Sequence, residues 1–149
     1  MNNYTFDIKT SQDFFKKLLD DYEEFCKNKT SPRIALNCAM TAWHLIDWLF
    51  REKNPTAAKQ EIGNFRKPLI EKCPSLQIMR DLTTGAKHYT ISDYTPKMKS
   101  TELKKGAFSK AFSRGFDIPS LIIELQDGTK IYFEDEIQKV IDFWTKYFE

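Results

Sequence analysis

Apolar residues recur at helical spacing in five stretches of the chain, with polar residues on the opposite faces. Ser31-Pro32 and Asn54-Pro55 each combine a capping side chain with a proline suited to the first helical position. Pro68 is expected to limit the helix that opens at Pro55. The pattern predicts helices over about residues 11–27, 31–52, 55–67, 74–88 and 134–148.

A β-hairpin is predicted before the last helix. Two β-rich runs, Ser120–Gln126 and Thr129–Phe133, flank Asp127-Gly128, a strong short-range signal for a hairpin over about residues 120–133. The segment 93–115 has no periodicity and is predicted as a long connection. The expected fold class is mainly α with α+β character. It is a four- or five-helix bundle with one C-terminal β-hairpin and a terminal helix, in a single domain over residues 1–149.

Composition narrows the function classes. Aromatic residues make up 14% of the chain, which excludes a disordered protein. No apolar run reaches the ~20 residues of a membrane span, and the N-terminus lacks the pattern of a signal peptide. The three cysteines have neither disulfide-framework nor zinc-site spacing and are expected to be core thiols. We therefore expect a cytoplasmic protein with no membrane association, no metal and no cofactor.

The formal net charge of +2 hides opposed segments. Residues 94–116 alone carry +5 and residues 117–149 carry −5. A basic segment interleaved with aromatic residues is typical of a surface that follows a nucleic-acid backbone. The alternative is a solvated loop whose lysines face the acidic C-terminal helix. The basic residues of this segment are Lys97, Lys99, Lys104, Lys105, Lys110 and Arg114.

The second predicted helix is apolar around most of its circumference, which is typical of the central helix of a bundle. One sector of about 120° is nevertheless polar, and it contains Asn37, Thr41, His44, Asp47, Trp48 and Arg51. His44 and Asp47 are i, i+3 neighbours, so the carboxylate can hold the imidazole and set its tautomer.

The fourth predicted helix has a similar polar sector, formed by Gln77, Arg80, Asp81, Thr84, Lys87 and His88. The two histidines of the chain therefore lie on polar stripes of two helices expected to pack together. Arg80, Lys87 and His88 on one face suit a phosphate group. The alternative is that these polar residues form pairs that lock the bundle.

The segments AWHLIDW (42–48) and CPSLQIMRDLTTGAKH (73–88) resemble the HEPN superfamily over about residues 34–92. The resemblance implies a helical bundle and, in many members, a metal-independent ribonuclease that acts in toxin–antitoxin or phage-defence systems, commonly as a dimer. The family signature is an arginine followed by a histidine after four to six residues. Here Arg80 and His88 correspond to it, with seven residues between them.

Three functions are consistent with these patterns. The first is a binding module for nucleic acid, nucleotide or a protein partner. The second is a metal-independent ribonuclease in which His88 or His44 acts as base, Asp47 orients His44, and Arg80 and Lys87 stabilise the phosphorane. The third is a structural interaction protein without a ligand. Expected partners are RNA or a nucleotide, an antitoxin-like protein, and a second copy of the chain. Further expected ligand contacts come from Asp81, Thr84, Trp48, Arg51 and the basic segment.

Overall fold

A computed structural model describes residues 3–105 and 118–149 of the chain. Its helices are α1 (Ser11–Lys27), α2 (Pro32–Lys53), α3 (Ile62–Lys72), α4 (Ser75–Lys87) and α5 (Phe133–Tyr147), with a 3₁₀ turn at Lys59–Glu61. Its strands are β1 (Met98–Lys104), β2 (Ser120–Leu125) and β3 (Lys130–Tyr132). The protein is mainly α with a small antiparallel sheet and a terminal helix, which confirms the predicted fold class.

The first two helices begin at capping side chains, of which Ser31 was predicted. Thr10 accepts the backbone N–H of Asp13, and the Asp13 carboxylate accepts the N–H of Thr10 in return, so both orphan donors are satisfied. The Asp13 carboxylate also accepts the N–H of Lys9, and these hydrogen bonds lower the pKa of Asp13. Ser31 caps α2 by accepting the N–H of Ile34, with Pro32 at the first helical position.

Helix α2 lies at the centre of the molecule, as its apolar circumference predicted. It packs against α1, α3, α4 and α5, and Cys38, Ala39, Ala42 and Leu45 on it are fully buried. The indole of Trp144 on α5 is also fully buried and donates to the Ala42 carbonyl at 3.2 Å. Within the described residues, no helix has the length and apolar character needed to cross a membrane.

The predicted hairpin is confirmed as β2 and β3, joined by a turn in which Gly128 has φ +86°. Glycine adopts this left-handed conformation without a Cβ penalty. Ile123 on β2 is almost fully buried against the helices, whereas Tyr132 at the end of β3 is 44% exposed. The sheet therefore covers one side of the bundle.

The predicted connection over 93–115 is wrong in part, because β1 pairs antiparallel with β2 and makes the sheet three-stranded. The sequence of β1 gives no alternating signal, since only Met98 and Leu103 are apolar in MKSTELK. Its interior residues are exposed, so backbone pairing rather than side-chain burial defines this strand.

The third helix also differs from the prediction over 55–67. It begins at Ile62 after the 3₁₀ turn and continues through Pro68 to Lys72. Proline inside a helix costs about 3 kcal/mol, and here it is tolerated because the following turn buries Leu69 in the core. The other helix bounds agree with the prediction to within one residue.

The cysteine prediction holds for two of the three residues. Cys38 and Cys73 are buried, and burial raises the pKa of both thiols, to about 12 for Cys38. Cys26 is exposed, contrary to the expectation of a core thiol, because its neighbour Phe25 takes the inward position at the end of α1.

Candidate functional site

Two arginines from different helices converge on one buried tryptophan. Trp43 of α2 is 7% exposed, and its ring lies 5.3 Å from the guanidinium carbon of Arg66 on α3. The guanidinium carbon of Arg80 on α4 lies 5.8 Å from the same ring. The ring of Tyr94, in the segment after α4, lies 3.8 Å from the Arg80 guanidinium. Arg66 and Arg80 are called the arginine pair below.

The arginine pair has no carboxylate partner within residues 3–105 and 118–149, since no ion pair involves either guanidinium. The Nε atom of Arg66 is buried and has no hydrogen-bond partner there. Burial lowers the pKa of Arg66, and the positive charge of Arg80 lowers it further. A buried donor without a partner costs free energy.

The electrostatic repulsion between the two guanidinium groups follows from their distances to Trp43. Because both guanidinium carbons contact one ring, their separation cannot exceed the sum of the two distances, which is about 11 Å. At an effective dielectric of about 20, two like charges at that separation repel by about 1.5 kcal/mol. A bound anion would replace this repulsion with attraction and would give the Arg66 Nε–H an acceptor.

His44 and Asp47, both predicted as site residues, contact each other on α2. The Nδ1 atom of His44 lies 3.2 Å from Oδ2 of Asp47, which confirms the predicted i, i+3 contact. Both side chains are nearly half exposed, at 44% and 46%. The negative charge of Asp47 raises the pKa of Arg66, opposing the effect of Arg80. Arg66 therefore lies within the electrostatic influence of both Asp47 on α2 and Arg80 on α4.

Asp81, predicted as a ligand contact, is a structural residue. It is fully buried, and its carboxylate accepts four hydrogen bonds. Gln77 and the Tyr94 hydroxyl donate to Oδ1 at 3.0 and 2.8 Å. The backbone N–H groups of Lys97 and Met98 donate to Oδ2 at 2.8 and 3.0 Å. The side chain fixes the segment between α4 and β1 and leaves no acceptor for a ligand.

The remaining predicted residues of α4 do not join the arginine pair. The Thr84 hydroxyl donates to the Arg80 carbonyl at 2.8 Å and lies 3.2 Å from the Tyr94 hydroxyl, so it is already engaged. Lys87 is the last residue of α4 and is exposed. His88 follows the helix in an extended conformation, because the chain leaves the helix there. Its exposed side chain makes no hydrogen bond to the described residues.

Much of the polar sector of α2 also serves packing. Asn37 and Thr41 donate to Asp21 of α1 at 2.8 and 2.6 Å, and Lys17 completes this network. Trp48 stacks on Phe14 of α1 with ring centroids 4.9 Å apart.

Arg51, also predicted as a ligand contact, donates to the Ala57 carbonyl at 2.8 Å. It therefore holds the connection between α2 and the 3₁₀ turn. Arg51, Trp48 and Asp47 line a surface cavity of about 340 Å³.

The predicted basic segment is only partly described. Lys97 and Lys105 are exposed, and Lys99 forms an ion pair with Glu124 at 3.4 Å. Lys104 ends β1 and borders a cavity on the outer side of the sheet. Lys110 and Arg114 lie outside the described residues.

Two residues of the site, Trp43 and Arg66, were missed by the sequence patterns. Trp43 was predicted as an apolar position of α2, and Arg66 lay in the predicted helix over 55–67 without an assigned role. Tyr94 was predicted as one of the aromatic residues of the basic segment. One sequence feature could have pointed to Trp43 as a site residue. It comes directly before His44 and one helical turn before Asp47. The described residues contain no group of histidines, cysteines and carboxylates able to hold a metal ion.

Comparison of the chain with family models, with curated proteins and with solved structures finds no match.

Proposed function

We propose that this protein is a binding module for a phosphate-bearing ligand, RNA or a nucleotide, and that the arginine pair holds the phosphate. One observation carries the proposal. Two guanidinium groups converge on Trp43 without a carboxylate among the described residues, and a buried N–H of Arg66 has no acceptor there.

The aromatic rings favour a phosphate over a looser counterion. Trp43 and Tyr94 contact the guanidinium of Arg80, which restricts its rotation before any ligand arrives. A guanidinium that stacks on rings keeps its N–H edge available for bidentate bonds to phosphate oxygens. Preorganisation of this kind reduces the conformational entropy that binding costs.

The charge distribution agrees with an anionic ligand. Residues 31–93, which contain the arginine pair, carry a net charge of +3, and residues 94–116 carry +5. RNA binding that depends on these charges should weaken steeply with salt, because each neutralised phosphate releases counterions.

Titration of a labelled single-stranded RNA and of a nucleoside triphosphate, followed by fluorescence anisotropy and calorimetry, tests the proposal. Arg80→Gln and Arg66→Met are expected to weaken binding at least tenfold, since each removes a charge-assisted contact. Arg33→Gln, an exposed arginine at the start of α2, is the matched control and should bind as the wild type does. Equal affinity for all four proteins would refute the assignment of the site.

A second function, metal-independent RNA cleavage, is favoured by the His44–Asp47 contact, whose carboxylate also acts electrostatically on Arg66. His44 would take the proton of a ribose 2′-OH as that oxygen attacks the phosphorus and the 5′-oxygen leaves. The arginine pair would stabilise the developing charge. Removal of a positioned base costs ~10²–10⁴-fold in rate, so His44→Ala should abolish cleavage measured in EDTA.

The resemblance to HEPN proteins, with its Arg80–His88 signature, dimer and defence context, stays a prediction. It assigns the base to His88, whereas the contact with Asp47 favours His44. Cleavage lost in His88→Ala and kept in His44→Ala would support the family signature. Absence of cleavage with RNA binding retained would leave the binding module.

A further inference from the structure

A second basic surface lies on the side of α5 that faces the junction of α3 and α4. There a groove runs between α5 and the α3–α4 junction. Its volume of about 720 Å³ lies within the range of ligand-binding clefts. Phe143 and Tyr147 of α5 form one wall, and Leu69 and Pro74 form the other. We call it the α5 groove.

Lysines surround the α5 groove in excess of carboxylates. Lys72, Lys139 and Lys146 line it, and Asp142 is the one acidic residue of its lining. Lys139 is paired with Glu136 at 3.0 Å, and this contact raises the pKa of Lys139. Lys72 and Lys146 form no ion pair with the described residues. Two lysine charges therefore remain available to an acidic partner.

The aromatic rings of the groove are arranged for side-chain packing rather than for stacking of bases. The Lys53 ammonium lies 5.1 Å from the Tyr147 ring centroid and donates to the Tyr147 hydroxyl at 2.6 Å. Phe143 packs edge-on against Trp144 with centroids 4.9 Å apart. Single-stranded nucleic acid requires ring faces that are open to its bases.

We infer that the α5 groove binds an acidic peptide segment of a partner protein, with an apolar side chain of that segment held between Phe143 and Leu69. The acidic residues of the partner complement Lys72 and Lys146. An amphipathic helix that lies in a groove between helices, with apolar anchors and charged flanks, is a recurring mode of peptide recognition. Neither arginine of the arginine pair lines the groove.

The probe is a fluorescein-labelled peptide with leucine and phenylalanine at positions i, i+3, i+4 and i+7 and glutamate on the remaining helix face. Its control replaces each glutamate with glutamine. We expect saturable binding of the acidic peptide and none of the control peptide. Lys72→Gln combined with Lys146→Gln should weaken binding at least tenfold. Lys16→Gln combined with Lys27→Gln, exposed lysines of α1, should leave it unchanged. Circular dichroism confirms that each variant is folded.

Three results would overturn the inference. They are the absence of saturable binding, equal loss of affinity in both double variants, and displacement of the peptide by a single-stranded RNA whose own binding needs Lys72 and Lys146. The last result would make the groove a nucleic-acid surface. Arg66→Met should bind the peptide normally, so failure of the phosphate proposal and failure of this one are distinguishable.

Discussion

Removal of the Asp81 carboxylate should destabilise the protein more than any substitution on the molecular surface. Asp81 lies on α4 and is fully buried, and its two oxygens accept four hydrogen bonds. In Asp81→Ala the backbone N–H groups of Lys97 and Met98 lose their acceptor. The segment that leads from α4 into β1 would then be held mainly by the pairing of β1 with β2.

The expected loss of stability in the Asp81 variants follows from the number of hydrogen bonds that the carboxylate accepts. Hydrogen bonds to a charged group contribute about 1.5–3 kcal/mol each and are not additive, and disruption of a buried charged network costs about 3–5 kcal/mol. We expect Asp81→Ala to lower the free energy of unfolding by that amount. Asp81→Asn should cost about 1–3 kcal/mol, because the remaining oxygen can still accept the two backbone N–H groups and the Tyr94 hydroxyl can rotate toward Thr84.

Urea unfolding followed by far-ultraviolet circular dichroism measures both variants. With a slope of about 1.5 kcal/mol per molar urea, the alanine variant should unfold at a midpoint about 2–3 M lower. Hydrogen exchange in the alanine variant should show early loss of protection at Lys97 and Met98, whereas the asparagine variant should keep most of it. Asp20→Ala, an exposed carboxylate on α1, is the control and should change stability by less than about 0.5 kcal/mol. An alanine variant as stable as this control would refute the structural assignment of Asp81.

Other expectations concern the helix cap, the hairpin turn and the thiols. Thr10→Ala removes the capping box and should cost about 0.5–2 kcal/mol in thermal unfolding, whereas Thr10→Ser should keep most of that stability. Gly128→Ala places a Cβ at φ +86° and should destabilise the protein by about 1 kcal/mol, and no loss would contradict the turn. A thiol reagent should label Cys26 in the native protein, whereas Cys38 and Cys73 should react only after unfolding. Rapid labelling of Cys38, whose pKa is raised to about 12, would contradict its burial.

Elements with strong local signals were predictable from the sequence. Helix α2 combines a cap, a proline and a wide apolar face, and the β2–β3 hairpin has Asp127-Gly128 at its turn. Strand β1 was not predictable, because its pairing with β2 joins residues as distant in sequence as Met98 and Leu125, which are 27 residues apart, and buries few of its side chains. Passage of α3 through Pro68 depends on burial of Leu69, which is a tertiary effect.

The candidate site was predictable only in part. The His44–Asp47 contact follows from i, i+3 spacing on one helix, and Arg80 was named for its charge. Arg66 could not be predicted as a neighbour of Arg80, because the approach of both arginines to Trp43 depends on how α3 and α4 pack against α2. The same spacing argument placed Asp81 beside Arg80 on the polar face of α4, but it did not reveal that the Asp81 side chain is buried in the core.

The most direct test of the central claim compares stability and ligand response in Arg66→Met. Loss of the contact with Trp43 costs about 0.5–2 kcal/mol. Removal of the repulsion from Arg80 and of the unsatisfied N–H group stabilises the variant by about 2.5–4.5 kcal/mol. Differential scanning fluorimetry should therefore show a melting temperature at or above that of the wild type. A nucleoside triphosphate should raise the wild-type value and leave that of the variant unchanged. A variant that is less stable than the wild type, yet stabilised by the nucleotide to the same extent, would contradict a phosphate site at the arginine pair.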